Sequence, residues 1–186
     1  MDSVDTPDLV ARELARLVGL PLWAVGRAAD LVWWQFGERV VAPTARDPDR
    51  IVGELALHLQ CPWRFTAGTS IVAGADDLYC PADPAVPLYD FDWTASRDSV
   101  LDRILNAFSN RFGEPRVVGV EVDDFGGFAL RFEHELSLAV FPDSANGRPF
   151  REMWRLFEPG RDTNHFVVGN SGLQPSDDET GGVSSV

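Results

Sequence analysis

Basic residues are scarce in this chain of 186 residues: 16 Lys and Arg stand against 29 Asp and Glu, a formal net charge of −13. The arginines are scattered singly, with no basic run. Such a chain repels a phosphate backbone, so nucleic-acid binding is the first function class to fall. Histidine is scarcer still, at three residues, His58, His134 and His165. There is no His-Glu-x-x-His and no paired Cys-x-x-Cys, so no local zinc motif exists. A Gly-x-Ser-x-Gly elbow is missing, as is a phosphate loop; Gly126-Gly127 lacks the following Lys and reads as a hairpin turn. No apolar run approaches the ~18 residues of a membrane span. These absences imply no cofactor, no membrane insertion, and a protein that leans away from being an enzyme.

Cysteine is limited to Cys61 and Cys80. The segment Met1-Asp2-Ser3-Val4-Asp5 has neither the positive charge nor the apolar run of a secretory leader. A cytoplasmic location and two free thiols are therefore expected. His58 and Cys61 lie three apart, on opposite faces of a strand, so a zinc site from His58, Cys61 and Cys80 would need the bulge at Pro62. A nucleophilic Cys61 would need His58 or His165 as a base, and nothing in the spacing brings one.

What is present is a globular composition, 45% apolar and 24% charged. The length suits one compact domain that buries a core without metal or disulfide. Thr6 as cap, Pro7 at the first turn and Asp8 beside it start a helix carrying Leu9, Val10, Leu14, Leu17 and Val18, stopped by Gly19. A short second turn or helix is expected over 22–29, carrying Trp23. A strand follows over 30–36, and Gly37-Glu38 is expected to turn it into Arg39-Val40-Val41. Residues 43–50 form a polar loop. Residues 54–60 alternate, with Leu55, Leu57 and Leu59 facing one way and Glu54, His58 and Gln60 the other, until Pro62. Residues 75–95, with three prolines among Tyr79, Tyr89, Phe91 and Trp93, form a packed loop or linker. Ser96 is expected to cap a helix to about residue 110 with Val100, Ile104, Leu105 and Phe108 on its apolar stripe. Residues 116–141 read as an antiparallel meander turning at 124–127 and near His134. A loop over 142–148 leads to strands over 152–157 and 165–168.

Two stretches repeat one another. Leu31-Val32-Trp33-Trp34-Gln35-Phe36, Glu54-Leu55-Ala56-Leu57-His58-Leu59, Cys61-Pro62-Trp63-Arg64-Phe65 and Ser70-Ile71-Val72-Ala73-Gly74 are matched in order by four later strings. These are Phe128-Ala129-Leu130-Arg131-Phe132, Glu135-Leu136-Ser137-Leu138-Ala139-Val140, Glu152-Met153-Trp154-Arg155-Leu156-Phe157 and His165-Phe166-Val167-Val168-Gly169. Helical material precedes each set. The expected fold is α+β, two similar helix-plus-antiparallel-sheet units packed as one compact domain about a pseudo-twofold. The first half covers 1–74, the linker loop 75–95, the second half 96–173, and a disordered acidic tail 174–186.

The repeat also casts Trp63 and Trp154 as core anchors whose indole N–H groups bond inward, with Arg64 and Arg155 lying over apolar surface or pairing with carboxylates. The acidic cluster Glu121, Asp123 and Asp124 at a strand end either holds a cation or is a solvated turn. Aromatics are plentiful, with 6 Trp, 2 Tyr and 12 Phe. Trp33 and Trp34 point to opposite faces of their strand. Candidate binding residues are Trp33, Trp34, His58, Trp63, Arg64, Trp93, Trp154, Arg155 and His165. An acidic surface with an exposed aromatic anchor fits a basic protein partner.

Gly53-Glu54-Leu55-Ala56-Leu57-His58-Leu59-Gln60-Cys61-Pro62-Trp63-Arg64 resembles a string in small uncharacterised cytoplasmic proteins of high-GC, soil-type bacteria. Leu136-Ser137-Leu138-Ala139-Val140-Phe141-Pro142-Asp143 and Glu152-Met153-Trp154-Arg155-Leu156 distantly resemble immunity-like proteins that neutralise toxins. Neither resemblance brings catalytic residues; acidic charge, plentiful aromatics and missing catalytic motifs point to a non-enzymatic acidic protein-binding, immunity-like protein. Two alternatives stand beside it: a small-ligand-binding protein or hydrolase using a pocket with His58 and His165, and a homodimeric structural protein.

Overall fold

The computed structural model describes residues 6–145, 149–161 and 165–173. The Thr6 side chain, the end of the 142–148 loop and the tail over 174–186 lie outside the described residues.

Helix α1 (Thr6–Ala15) leads into strands β1 (Leu22–Ala28), β2 (Leu31–Val41), β3 (Ile51–Leu59), β4 (Trp63–Ala67) and β5 (Ser70–Gly74). Two short 3-10 turns, Ala75–Tyr79 and Leu88–Asp90, interrupt the loop that follows. Helix α2 (Val100–Phe112) then leads into β6 (Val117–Val122), β7 (Phe128–Phe132), β8 (Leu136–Val140), β9 (Glu152–Phe157), β10 (Phe166–Gly169) and β11 (Gly172–Leu173). Two antiparallel sheets result, ordered β1-β2-β3-β9-β10-β11 and β5-β4-β8-β7-β6. The chain is thus α+β, two helix-plus-antiparallel-sheet units packed together.

The units exchange strands. Each sheet takes its first three strands from one half and a Trp-Arg hairpin from the other: β9-β10 complete β1-β2-β3, and β4-β5 complete β6-β7-β8. The helices cross over too, α1 packing on β6 and α2 on β1. At the seam, Pro21 and Arg116 form an isolated antiparallel bridge, flanked by Gly19 N–H to Val117 O at 2.8 Å and Leu22 N–H to Pro115 O at 3.0 Å. Antiparallel pairing of equivalent chain segments is what a twofold between the halves requires.

The register makes the equivalence residue by residue. Val32, Leu59 and Trp154 share one cross-strand row, and Phe128, Val140 and Trp63 share its counterpart. These residues and their neighbours two along face inward. Trp34 lies edge-on to Trp63 at 5.5 Å, and Phe36 stacks on Phe132 at 6.5 Å, closing the core between the sheets. Val10 and Leu14 of α1, Leu17 of the turn that follows it, and Leu101, Leu105 and Phe108 of α2 complete it. The glycines that close β5 and β10 are not equivalent: Arg64 pairs with Gly74, whereas Arg155 pairs with Val167.

Three local expectations are corrected. Residues 22–28 form a strand, not a helix, because β1 pairs with β2 from Leu22 to Ala28 across a two-residue turn in which Ala29 takes φ 53°. Cross-strand pairing there outweighs the helix preference of Ala24 and Ala28. Gly37-Glu38 is a bulge within β2 rather than a turn. At Gly37, φ is +77°, and a Cβ would meet Glu54 Oε2 at 2.6 Å, so glycine is the fitting residue. Ser99, not Ser96, caps α2: its hydroxyl accepts from Asp102 N–H at 3.0 Å, and Asp102 Oδ2 accepts from Ser99 N–H at 3.0 Å. Cys61 and Cys80 are free thiols. No helix among the described residues is long and apolar enough to cross a membrane.

Candidate functional site

The nine candidate residues divide among four places. Trp34, Trp63 and Trp154 are buried between the sheets. Trp154 is the anchor its repeat position implied, its indole Nε1 donating to Gly126 O at 2.8 Å. Trp34 Nε1 is buried without a partner among the described residues.

Trp33, His58, Arg155 and His165 meet on the outer face of the six-stranded sheet. One cross-strand row reads Gly26, Trp33, His58, Arg155, Val167. The Trp33 indole lies so close over Gly26 that a Cβ there would collide with it. His58 and His165 both pack on the Phe157 ring, at centroid distances of 4.7 and 4.4 Å. Burial, and then the nearby Arg155 charge, push the His58 pKa down to about 4. The same two causes lower His165. Arg155 Nη1 lies 3.2 Å from His165 Nδ1, so that nitrogen accepts and the ring is neutral. Glu152 grips Arg155 through two bonds of 2.6 Å and accepts from Gln60 at 3.0 Å. The sequence pattern missed Glu152, because i and i+3 in a regular strand face apart. A bulge where β9 meets Gly169 puts both on one face. Every charge here is internally matched, so the cluster is a neutralised ladder.

Arg64 is exposed on the outer face of the five-stranded sheet, its guanidinium 5.1 Å over the Phe141 ring. Near it, Glu121 pairs with Arg131 at 2.8 Å, and Asp123 Oδ1 accepts from Phe125 N–H at 2.8 Å and Gly127 N–H at 2.7 Å. Asp123 thus builds the turn between β6 and β7. Among the described residues, no group of three His, Cys, Asp or Glu converges as metal ligands would.

Trp93 is half-buried and stands edge-on to Tyr79 at 5.3 Å, tying the loop over 75–98 to the core. The loop stem is fastened at several points. Val100 N–H donates to Cys80 O at 2.8 Å, Ala82 N–H to Asp98 O at 3.0 Å, Arg27 Nη2 to Ser96 O at 2.9 Å and Arg103 Nη1 to Ala82 O at 3.1 Å. From this fixed stem the tip projects Leu88, 66% exposed, and Tyr89, 87% exposed. Residues 75–98 hold six aspartates (Asp76, Asp77, Asp83, Asp90, Asp92 and Asp98) against Arg97 alone. The sequence marked this loop by its prolines and aromatics. It did not separate the inward Trp93 from the outward Leu88 and Tyr89, because no periodicity runs through it.

A cavity of about 170 Å³ at the base of the loop is lined in part by Cys61, Asp76, Tyr79, Asp143 and Arg151. Burial pushes the Cys61 thiol up to about 12, which leaves it protonated and unreactive near neutral pH. Compared with protein-family models, with curated proteins and with solved structures, the chain matches none.

Proposed function

We propose that this protein is a non-enzymatic binding module that takes a basic protein partner, in the manner of an immunity-like protein, through its 75–98 loop. One observation carries the reading: Leu88 and Tyr89 stand exposed at the tip of a tethered loop whose charge is six aspartates against one arginine. Exposed apolar anchors ringed by carboxylates suit a partner that presents Lys and Arg around an apolar socket. The fastened stem supports it further, since a loop already held in place loses little freedom on binding. The histidines favour the hydrolase alternative less, because both pack on Phe157 and His165 is bonded to Arg155.

The chain contains no lysine, which gives the test its selectivity. Carbodiimide coupling joins carboxylates to amines, so beyond the N-terminus it links this chain only to amines of another protein. The wild type and a Leu88→Ala/Tyr89→Ala variant are incubated with lysate of the source cells, coupled, and the products mapped by mass spectrometry. The reading expects one stoichiometric basic partner linked through Asp83, Asp90 or Asp92, lost in the variant and weakened by salt. A partner retained by the variant, or no stoichiometric partner, would overturn it.

A further inference from the structure

The pseudo-twofold that relates the halves also relates the two open sheet faces, so each position on one has a counterpart on the other. On the six-stranded sheet the central row is Gly26, Trp33, His58, Arg155, Val167. On the five-stranded sheet it is Glu121, Ala129, Ala139, Arg64, Gly74. Where the first face carries an indole and an imidazole, the second carries two methyl groups. The space left open is a shallow groove of about 390 Å³ over Ala129 and Ala139, walled by Arg64 and Phe141 on one side and by Glu121 and Asp123 on the other. That volume falls within the ordinary range for small-molecule sites.

The charges differ between the two faces in a way that selects a ligand. Arg155 is neutralised by Glu152, whereas its counterpart Arg64 has no carboxylate partner among the described residues. On the opposite wall Glu121 pairs with Arg131, and Asp123, still charged, is turned to the backbone N–H groups of Phe125 and Gly127. Arg64 is the one cationic side chain among the groove's lining residues, its guanidinium 5.1 Å over the Phe141 ring. A planar guanidinium fork matches a carboxylate through paired hydrogen bonds.

We infer that this groove binds a small flat aromatic carboxylate. Its ring rests on Ala129 and Ala139, where the counterpart face holds Trp33 and His58, and its carboxylate pairs with Arg64. The site is independent of the 75–98 loop, so either proposal stands if the other fails.

Indole-3-acetate is the probe, titrated into the ¹⁵N-labelled full chain and followed by amide chemical shifts. Saturable shifts confined to β4, β7 and β8 are expected, with a Kd on the order of 0.1–1 mM for a ligand of this size. Arg64→Gln is expected to weaken binding about tenfold, the scale of one charge-assisted pair. Indole-3-acetamide should weaken to match. Ala129→Trp, which copies the filled counterpart, is expected to abolish binding. Arg64→Gln alters an exposed side chain and preserves the fold, so it keeps the test decisive if Ala129→Trp does not fold. Absence of saturable shifts at millimolar probe overturns the inference. So do shifts that map to another surface, or binding unchanged in Arg64→Gln.

Discussion

Arg27 on β1 clasps Asp102 on α2, with Nε to Oδ1 at 2.6 Å and Nη2 to Oδ2 at 2.8 Å, and their side chains are only 4% and 8% exposed. The pair joins the strand of one half to the helix of the other. Asp102 also serves the Ser99 capping box, and Arg27 also holds Ser96 O at the loop stem. The Arg27 hydrogen bond, against the cost of burial, holds the Asp102 carboxyl at about 2. A depressed carboxyl stabilises the fold above its unfolded pKa of about 4 and loses that contribution as pH falls towards its folded value. Arg27→Met is expected to cost about 3–5 kcal/mol by leaving a buried carboxylate unpaired. Urea unfolding at pH 7 measures this. Wild-type stability should fall between about pH 5 and pH 2, and the variant should lack the Asp102 part of that fall. A variant as stable as wild type at pH 7 would show that the pair contributes nothing.

His58 supplies a second acid-sensitive point at higher pH. Its folded pKa of about 4, set first by burial, lies below the unfolded value of about 6.5. The neutral ring is favoured in the fold, so its contribution is complete above about pH 6.5 and drains away as pH falls towards 4. His58→Gln should flatten the stability profile over that window. The His58 ring protons, followed by NMR, should titrate near pH 4. A midpoint at 6.5 would refute the burial argument.

The two thiols should differ sharply in reactivity. Cys61 is buried, with its pKa raised to about 12, whereas Cys80 is half-buried. At pH 8, iodoacetamide is expected to label Cys80 first and Cys61 only on unfolding. Peptide mass mapping in the presence and absence of denaturant distinguishes the two. Equal labelling in the folded protein would contradict the packing around Cys61.

Two buried tryptophans should respond differently to the same change. Trp154→Phe removes the donor to Gly126 O and leaves a buried carbonyl short of its bond, adding about 1–3 kcal/mol to the packing loss. Trp34→Phe removes an indole N–H that has no partner among the described residues, so only packing is lost. Thermal unfolding is expected to show the larger drop for Trp154→Phe. The reverse order would mean that Trp34 Nε1 is satisfied in solution.

Much of the architecture was legible in local patterns. Alternation in Leu55-Ala56-Leu57-His58-Leu59 and Leu136-Ser137-Leu138-Ala139-Val140 marked strands with one inward face, and the paired Trp-Arg strings marked the duplication. The strand over 22–28 was not legible, because its alternation is blurred by alanines and its β state depends on pairing with β2. The binding candidates were legible only as residue types. Trp33 and Trp34 announced opposite faces, but which one would be buried depends on where the second sheet lies. Glu152 joined Arg155 only through a bulge, which a strand pattern does not reveal.

By itself the sequence determined the acidity of the chain, its inward and outward strand faces and the existence of two similar halves, because charge, side-chain alternation and repetition are properties of the string. Only the tertiary structure decided that the halves trade their Trp-Arg hairpins and helices. A period of two specifies the face a strand buries, not the sheet it joins. The connection from Leu59 to Trp63 carries the chain from one sheet to the other, and the pairings of β4 with β8 and β3 with β9 are long-range contacts that no local pattern encodes. The same exchange sets Arg155 beside His58 and leaves Arg64 beside Ala139, so the difference between the filled face and the open groove arises from two sheets assembled across the halves.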